Sequence, residues 1–251
     1  MGGRTASILV AVALTVAAVG PSAARSVSVE AGNIPLYFNF TVHPRKLPRT
    51  KPQPARVLVS SKYKTGDGSH VPALEELELE LDRHLVLDAT AVPICDAGGR
   101  DGRKEVLEGC DDAVVGKGTI EVELAYPESR LSTVSGDLTI YNLGRKPGGA
   151  DLVGYAFILP LIRHMIIPIN VRNSAGHYGW KVRFEIPKIA GGAGSITSYS
   201  ANLGKRILSA TCSDGHMLAR AISTFVDGSS RTERAVRTCS AGRTARPAVG
   251  G

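Results

Sequence analysis

Aromatic side chains are scarce in this chain of 251 residues, which holds one Trp, five Phe and seven Tyr. That leaves little material for the aromatic platforms on which many carbohydrate-binding β-domains stack sugars. Trp180 falls on the apolar side of its segment and reads as core, so Tyr141, Tyr178 and Tyr199 are the remaining platform candidates. Helical periodicity is nearly absent, which argues against bundles and coiled coils. No G-x-S-x-G elbow marks a hydrolase nucleophile, and Gly191–Gly194 lacks the Lys-Ser/Thr of a phosphate loop. No C-x-x-C or H-x-x-x-H spacing suggests zinc, and the six histidines are scattered singly. The apolar stretch Leu152–Val171 is interrupted by Pro160, Pro168 and Arg163-His164, so it reads as two buried strands with Arg163-His164 near their junction, not as a membrane span.

What is present begins at the N-terminus. Arg4, the apolar run Ile8–Val19 and Pro21-Ser22-Ala23-Ala24 have the order of a secretory signal peptide, residues 1–24, with cleavage expected before Arg25. The remainder, more than two hundred residues, is long enough for one large β-domain over residues 25–240. Residues 241–251 read as a disordered tail. The expected location is extracytoplasmic, secreted or at the cell envelope, where thiols oxidise.

Alternation of apolar and polar residues dominates the rest, the mark of strands with one buried face. Leu77, Leu79 and Leu81 are set between acidic residues; Ile120, Val122 and Leu124 alternate with glutamates; Trp180, Val182, Phe184 and Ile186 alternate with Lys181, Arg183 and Glu185. Further strands are expected at Leu36–Val42, Arg56–Tyr63, Leu138–Tyr141, Leu152–Leu159, Met165–Val171, Ser195–Leu203, Arg206–Cys212, Leu218–Val226 and Thr232–Cys239. Turns are expected at Gly66-Asp67-Gly68, Ser135-Gly136-Asp137, Gly191–Gly194 and Asp227-Gly228. About a dozen short strands joined by short loops predict an all-β fold, an antiparallel β-sandwich of Ig-like or related type. At most one short helix, Gly102–Glu108, is expected.

Four cysteines allow three pairings. Local pairing, Cys95–Cys110 and Cys212–Cys239, is the most economical, since the first pair brackets a Gly- and Asp-rich loop and the second a hairpin. Asp96, Asp101, Asp111 and Asp112 crowd that first loop, but their spacing is not that of an EF-hand. Ser195 with His177 and Asp151 would supply the residue types of a hydrolytic triad, whose geometry spacing alone cannot establish.

The formal net charge is +7, which favours contact with polyanions. Residues 44–54 form a Pro-rich connector whose Arg45, Lys46, Arg49 and Lys51 are a candidate polyanion contact. With Arg56, Lys62 and Lys64 they make a stretch free of acid, unless Glu75–Asp82 folds back beside it and neutralises it.

Pro44-Arg45-Lys46-Leu47-Pro48, Asp67-Gly68 with Pro72-Ala73-Leu74, Pro93-Ile94-Cys95, Val115-Gly116-Lys117-Gly118, Ile186-Pro187-Lys188-Ile189-Ala190-Gly191-Gly192-Ala193-Gly194-Ser195 and Arg237-Thr238-Cys239 span most of the chain. On these segments it resembles a group of exported, disulfide-bonded β-rich proteins of high-GC bacteria to which no activity is attached. The resemblance implies a secreted β-domain and carries over no catalytic or binding residue. The expectation is a non-enzymatic protein with a structural or adhesive role at the cell envelope; a binding module for glycans or anionic polymers is the alternative, and a secreted hydrolase the third. The expected partner is an anionic envelope polymer or glycan, with no nucleic acid, no cofactor, no metal and no transmembrane helix.

Overall fold

The computed structural model describes residues 36–95, 109–126, 130–159, 163–204 and 206–241. The expected signal peptide, the helix at Gly102–Glu108 and the tail beyond residue 241 lie outside them. Sixteen strands are described: β1 Leu36–His43, β2 Lys46–Leu47, β3 Gln53–Pro54, β4 Arg56–Tyr63, β5 Leu74–Asp82, β6 Leu85–Leu87, β7 Val114–Leu124, β8 Ser132–Lys146, β9 Gly149–Leu159, β10 Arg163–Asn173, β11 Tyr178–Glu185, β12 Gly194–Leu203, β13 Leu208–Ala210, β14 His216–Phe225, β15 Ser230–Thr238 and β16 Ser240–Ala241. No helix among the described residues is long and apolar enough to cross a membrane.

Eleven of these strands pair antiparallel in one sheet, in the order β1-β4-β12-β7-β8-β9-β10-β11-β5-β14-β15. The fold is therefore all-β and antiparallel as expected, but a two-sheet sandwich is not what the pairing builds. One sheet curls until its edges nearly meet, and β8 alone is 15 residues long. Such curling follows from the twist of a many-stranded sheet, and it hides the exposed edges that invite aggregation. Along an alternating ladder of eleven strands, β1 and β15 run in the same direction. Their continuations β2 and β16 pair in parallel, Ser240 opposite Lys46 and Ala241 opposite Leu47, and tie the seam at one end.

Alternation decides which side chains face inward. On β4, Val57, Val59, Ser61 and Tyr63 are buried while Arg56 and Lys62 are exposed. On β14 the inward set is Met217, Ala219, Ala221, Ser223 and Phe225. Leu79, Leu81, Ile140, Leu152, Ile169, Val182 and the Trp180 ring fill the middle, leaving a wholly apolar cavity of about 30 Å³. Such a space is on the order of one or two waters, so the interior built by the described residues is a packed core. Trp180 packs against it as expected, with Nε1 donating to the Leu85 carbonyl at 2.8 Å.

One local expectation changes. Ser135-Gly136-Asp137 lies inside β8, not at a turn. Gly136 opposes Ile158 of β9, and a Cβ there would sit 2.4 Å from the Phe157 carbonyl oxygen, so the glycine permits close backbone approach instead of reversal. Gly66-Asp67-Gly68 does form a turn, at the start of a crossover, since β4 and β5 are not neighbours. Leu152–Val171 does form two antiparallel strands, with Arg163 opposite Ile158. Pro168 is tolerated because β11 pairs with β10 only from Ile169 onward, so its missing N–H falls beyond that ladder.

Both cysteine pairs are bridged as expected, with Cα separations of 5.2 Å for Cys95–Cys110 and 6.1 Å for Cys212–Cys239. The first packs with Ala113 and Val153 in a small cluster of its own, separate from the main core. The second joins the start of the β14–β15 hairpin to its end.

Candidate functional site

With the interior filled, chemistry is left to the ends and the outer surface. One end is covered by the three-stranded sheet β3-β13-β6, which buries Ala55, Leu85, Ile207 and Leu208. The Pro-rich segment runs along this cover and is held by its backbone: Ser240 N donates to Arg45 O at 3.0 Å and Cys212 N to Pro48 O at 2.8 Å. Gln53 Nε2 donates to Lys46 O at 2.9 Å. Leu47 is fully buried and acts as an anchor, so the connector is a fitted loop containing two short strands.

Arg45, Lys46, Arg49, Lys51 and Arg56 are all exposed at this end. Among the described residues none of them joins an ion pair. The acidic strand that could have neutralised them is engaged elsewhere: Glu76 pairs with Arg183, Glu78 with Lys181 at 2.9 Å, and Glu80 with Arg220. The basic stretch is nevertheless split. Lys62 lies six residues further along β4 than Arg56, about 20 Å at the rise of an extended strand, and Lys64 follows it toward the opposite end.

Beside the loop, two turns bring an acid, an imidazole and a hydroxyl together. Asp82 ends β5 and is buried; its Oδ1 accepts from His84 N at 2.8 Å and contacts His84 Nδ1 at 2.7 Å, while Oδ2 accepts from Leu218 N at 2.7 Å. His84 Nε2 lies 2.6 Å from Oγ of exposed Ser213, which follows Cys212 in the turn before β14. Thr211 N donates to His84 O at 3.0 Å and fixes the two turns together. Ser213 Oγ also donates to Asp214 Oδ1 at 2.6 Å, and Arg83 Nη2 lies 3.0 Å from Asp214 Oδ2. The Ser213 hydroxyl first, and the Arg83 guanidinium second, hold the Asp214 carboxyl below the usual carboxylate range.

The opposite end carries a second set of the same residue types. His70 Nδ1 lies 2.8 Å from Glu123 Oε1, and Nε2 lies 3.2 Å from Ser195 Oγ. Glu123 and Ser195 face each other across β7 and β12. Here the serine is fully buried, and its hydroxyl donates to Val71 O at 2.5 Å. These bonds strap the segment before β5 onto the barrel, out of reach of any substrate.

The grouping of Ser195 with His177 and Asp151 does not form. Asp151 is paired with Arg172 at 2.8 Å, and His177 sits in the β10–β11 turn. Nothing in sequence spacing signals the Ser213 arrangement except the Asp82-Arg83-His84 run, whose side-chain-to-backbone bond is a local turn feature. No group of three or more metal-ligating side chains occurs among the described residues, and Asp96 and Asp101 lie outside them. The three tyrosines do not form an exposed row: Tyr199 is buried, Tyr178 lies beneath the Arg220 guanidinium at 5.0 Å, and Tyr141 packs on the first disulfide cluster.

No protein-family model and no curated protein matches the chain. One solved structure, AvmM, described as catalysing macrocyclization in alchivemycin A biosynthesis, is similar at 11% identity over 85% of this chain and 92% of that one. Its TM-score of 0.30 is too low for that likeness to carry an argument about fold or activity.

Proposed function

We propose that this protein is an extracytoplasmic binding module for an anionic polymer of the cell envelope, with an adhesive role. The observation that carries the reading is the loop Arg45–Lys51: four exposed, unpaired cations on a backbone fixed at Arg45, Lys46 and Pro48. A fixed loop loses little backbone freedom on contact, so only side-chain ordering offsets the charge attraction. The packed interior favours a surface contact over an enclosed ligand, and two disulfides are compatible with an oxidising compartment.

Titration with polyphosphate tests it. Binding should be measurable at low ionic strength and fall steeply above physiological salt, where charges are screened beyond about 8 Å. Four exposed contacts at about 0.5 kcal/mol each amount to about 2 kcal/mol, so replacing Arg45, Lys46, Arg49 and Lys51 by Gln should weaken binding about thirtyfold. The melting temperature should stay unchanged. Absent binding at low salt, or binding indifferent to the four replacements, would overturn the reading.

A further inference from the structure

We infer that Ser213 is a nucleophile, with His84 as its general base and Asp82 as the group that orients the base, and that it acts on esters presented at the protein surface. A serine hydroxyl is weakly nucleophilic until a neighbouring base takes its proton, and the base must be held in the right tautomer. In the resting geometry the base is oriented and lies within reach of the hydroxyl. Nδ1 of His84 points at buried Asp82 at 2.7 Å, which places the ring proton there and leaves Nε2 as an acceptor 2.6 Å from Ser213 Oγ, in competition with Asp214 Oδ1 for the one hydroxyl proton. Asp82 is itself fixed by the His84 and Leu218 amides, so the acceptor that orients the imidazole stays in place.

Access separates this cluster from its counterpart at the other end. Ser195 has the same kind of partners but no exposure, whereas Ser213 is exposed on a turn anchored by the Cys212–Cys239 bridge. In the reaction, Ser213 Oγ bonds to the ester carbonyl carbon while its proton passes to His84 Nε2. The C–O bond to the alcohol then breaks, and the departing alkoxide takes that proton from His84. Water, deprotonated by His84, attacks the acyl-serine; the carboxylic acid leaves and the proton returns to Ser213. The Arg83 guanidinium is the cation at hand for the oxyanion that develops.

Asp214 acts as a brake. Its Oδ1 competes with His84 for the Ser213 proton, and its Oδ2 occupies Arg83. A substrate that displaces Asp214 would release both groups together.

The test is covalent labelling of the full-length protein with an alkyl fluorophosphonate, in which the serine oxygen displaces fluoride at phosphorus, read by intact mass and peptide mapping. One label is expected on Ser213 and none on Ser195. Ser213→Ala should abolish it, and His84→Asn should slow it by about a hundredfold or more. Asp214→Ala should speed it, because that removes the competing acceptor. A wild-type protein that takes no label, or labels Ser213 no faster than other exposed serines, overturns the proposal. Should His84→Asn melt below the assay temperature, the Asp214→Ala arm decides, and an unchanged or slower rate overturns the proposal. The probe is small and uncharged, so labelling reads Ser213 alone, and its failure leaves the polymer-binding reading, which the polyphosphate titration tests, untouched.

Discussion

Arg237, near the end of the last long strand, holds the first one: its Nε donates to the Phe40 carbonyl at 2.8 Å and its Nη2 to the Asn39 side-chain oxygen at 2.5 Å. β1 and β15 have no backbone ladder between them, so this side chain supplies hydrogen bonds where the sheet stops short of closure. Replacing Arg237 by Ala should cost about 1.5–3 kcal/mol, the range for hydrogen bonds made by a charged group. Urea unfolding reads the loss, and hydrogen exchange should show faster opening confined to β1. Unchanged stability and protection would show that the seam is held by packing alone.

Gly136 should not tolerate a side chain. In Gly136→Ala the new carbon meets the Phe157 carbonyl, and β8 and β9 must separate. The expected cost is about 1–3 kcal/mol, as for overpacking elsewhere. Ser135→Ala, one residue away, serves as the control in the same denaturant melt and should change little; equal effects would refute the close-approach account.

Stability should fall at alkaline pH. Burial pushes the Tyr199 hydroxyl well above the usual tyrosine value and also raises Tyr63, where the Ser223 hydrogen bond opposes the shift more weakly. The unfolded chain loses these protons from about pH 10, while the folded barrel keeps them. Above that pH the unfolded state binds fewer protons, so unfolding becomes progressively easier, whereas below it the contribution is intact. Absorbance at the phenolate band and thermal melts over the same pH range check this. Phenolate signal from all seven tyrosines near pH 10 without unfolding would contradict it.

Replacing Cys212 and Cys239 together by Ser opens a loop of 27 residues' separation. In the chain-entropy model the loss is about 3.5 kcal/mol. Because Cys212 N also holds Pro48, the double replacement should weaken polyphosphate binding as well as lower the melting temperature. A lower melting temperature with unchanged affinity would show that the basic loop does not depend on this anchor.

The alternation of Leu77, Leu79 and Leu81 with glutamates was enough to assign β5, because a strand's side chains point to opposite faces residue by residue. The same rule located β4 to its ends and most of the other long strands, and local economy was enough for both disulfides. Such information is short-range. Gly136 was misleading because glycine serves two purposes, a turn and a close backbone approach, and only Phe157 on the neighbouring strand decides which. The segments β2, β3, β6 and β16 were invisible, since pieces of two or three residues carry no period.

Strand order belonged wholly to the tertiary structure. Nothing in Arg56–Tyr63 says that it lies between β1 and β12, because an outward or inward face fits many neighbours equally well and the choice is made by how the whole sheet curls and packs. The candidate site follows from that order. Asp82 and His84 are two residues apart and pair locally, yet Ser213 is 129 residues from His84, and the two meet only because β5 and β14 are neighbours and Thr211 bonds to the His84 carbonyl. Charge shows the same division. Four cations on a Pro-rich segment are readable as charge, but their freedom from partners depended on where Glu76, Glu78 and Glu80 would turn, and they face Arg183, Lys181 and Arg220 because β11 and β14 flank β5.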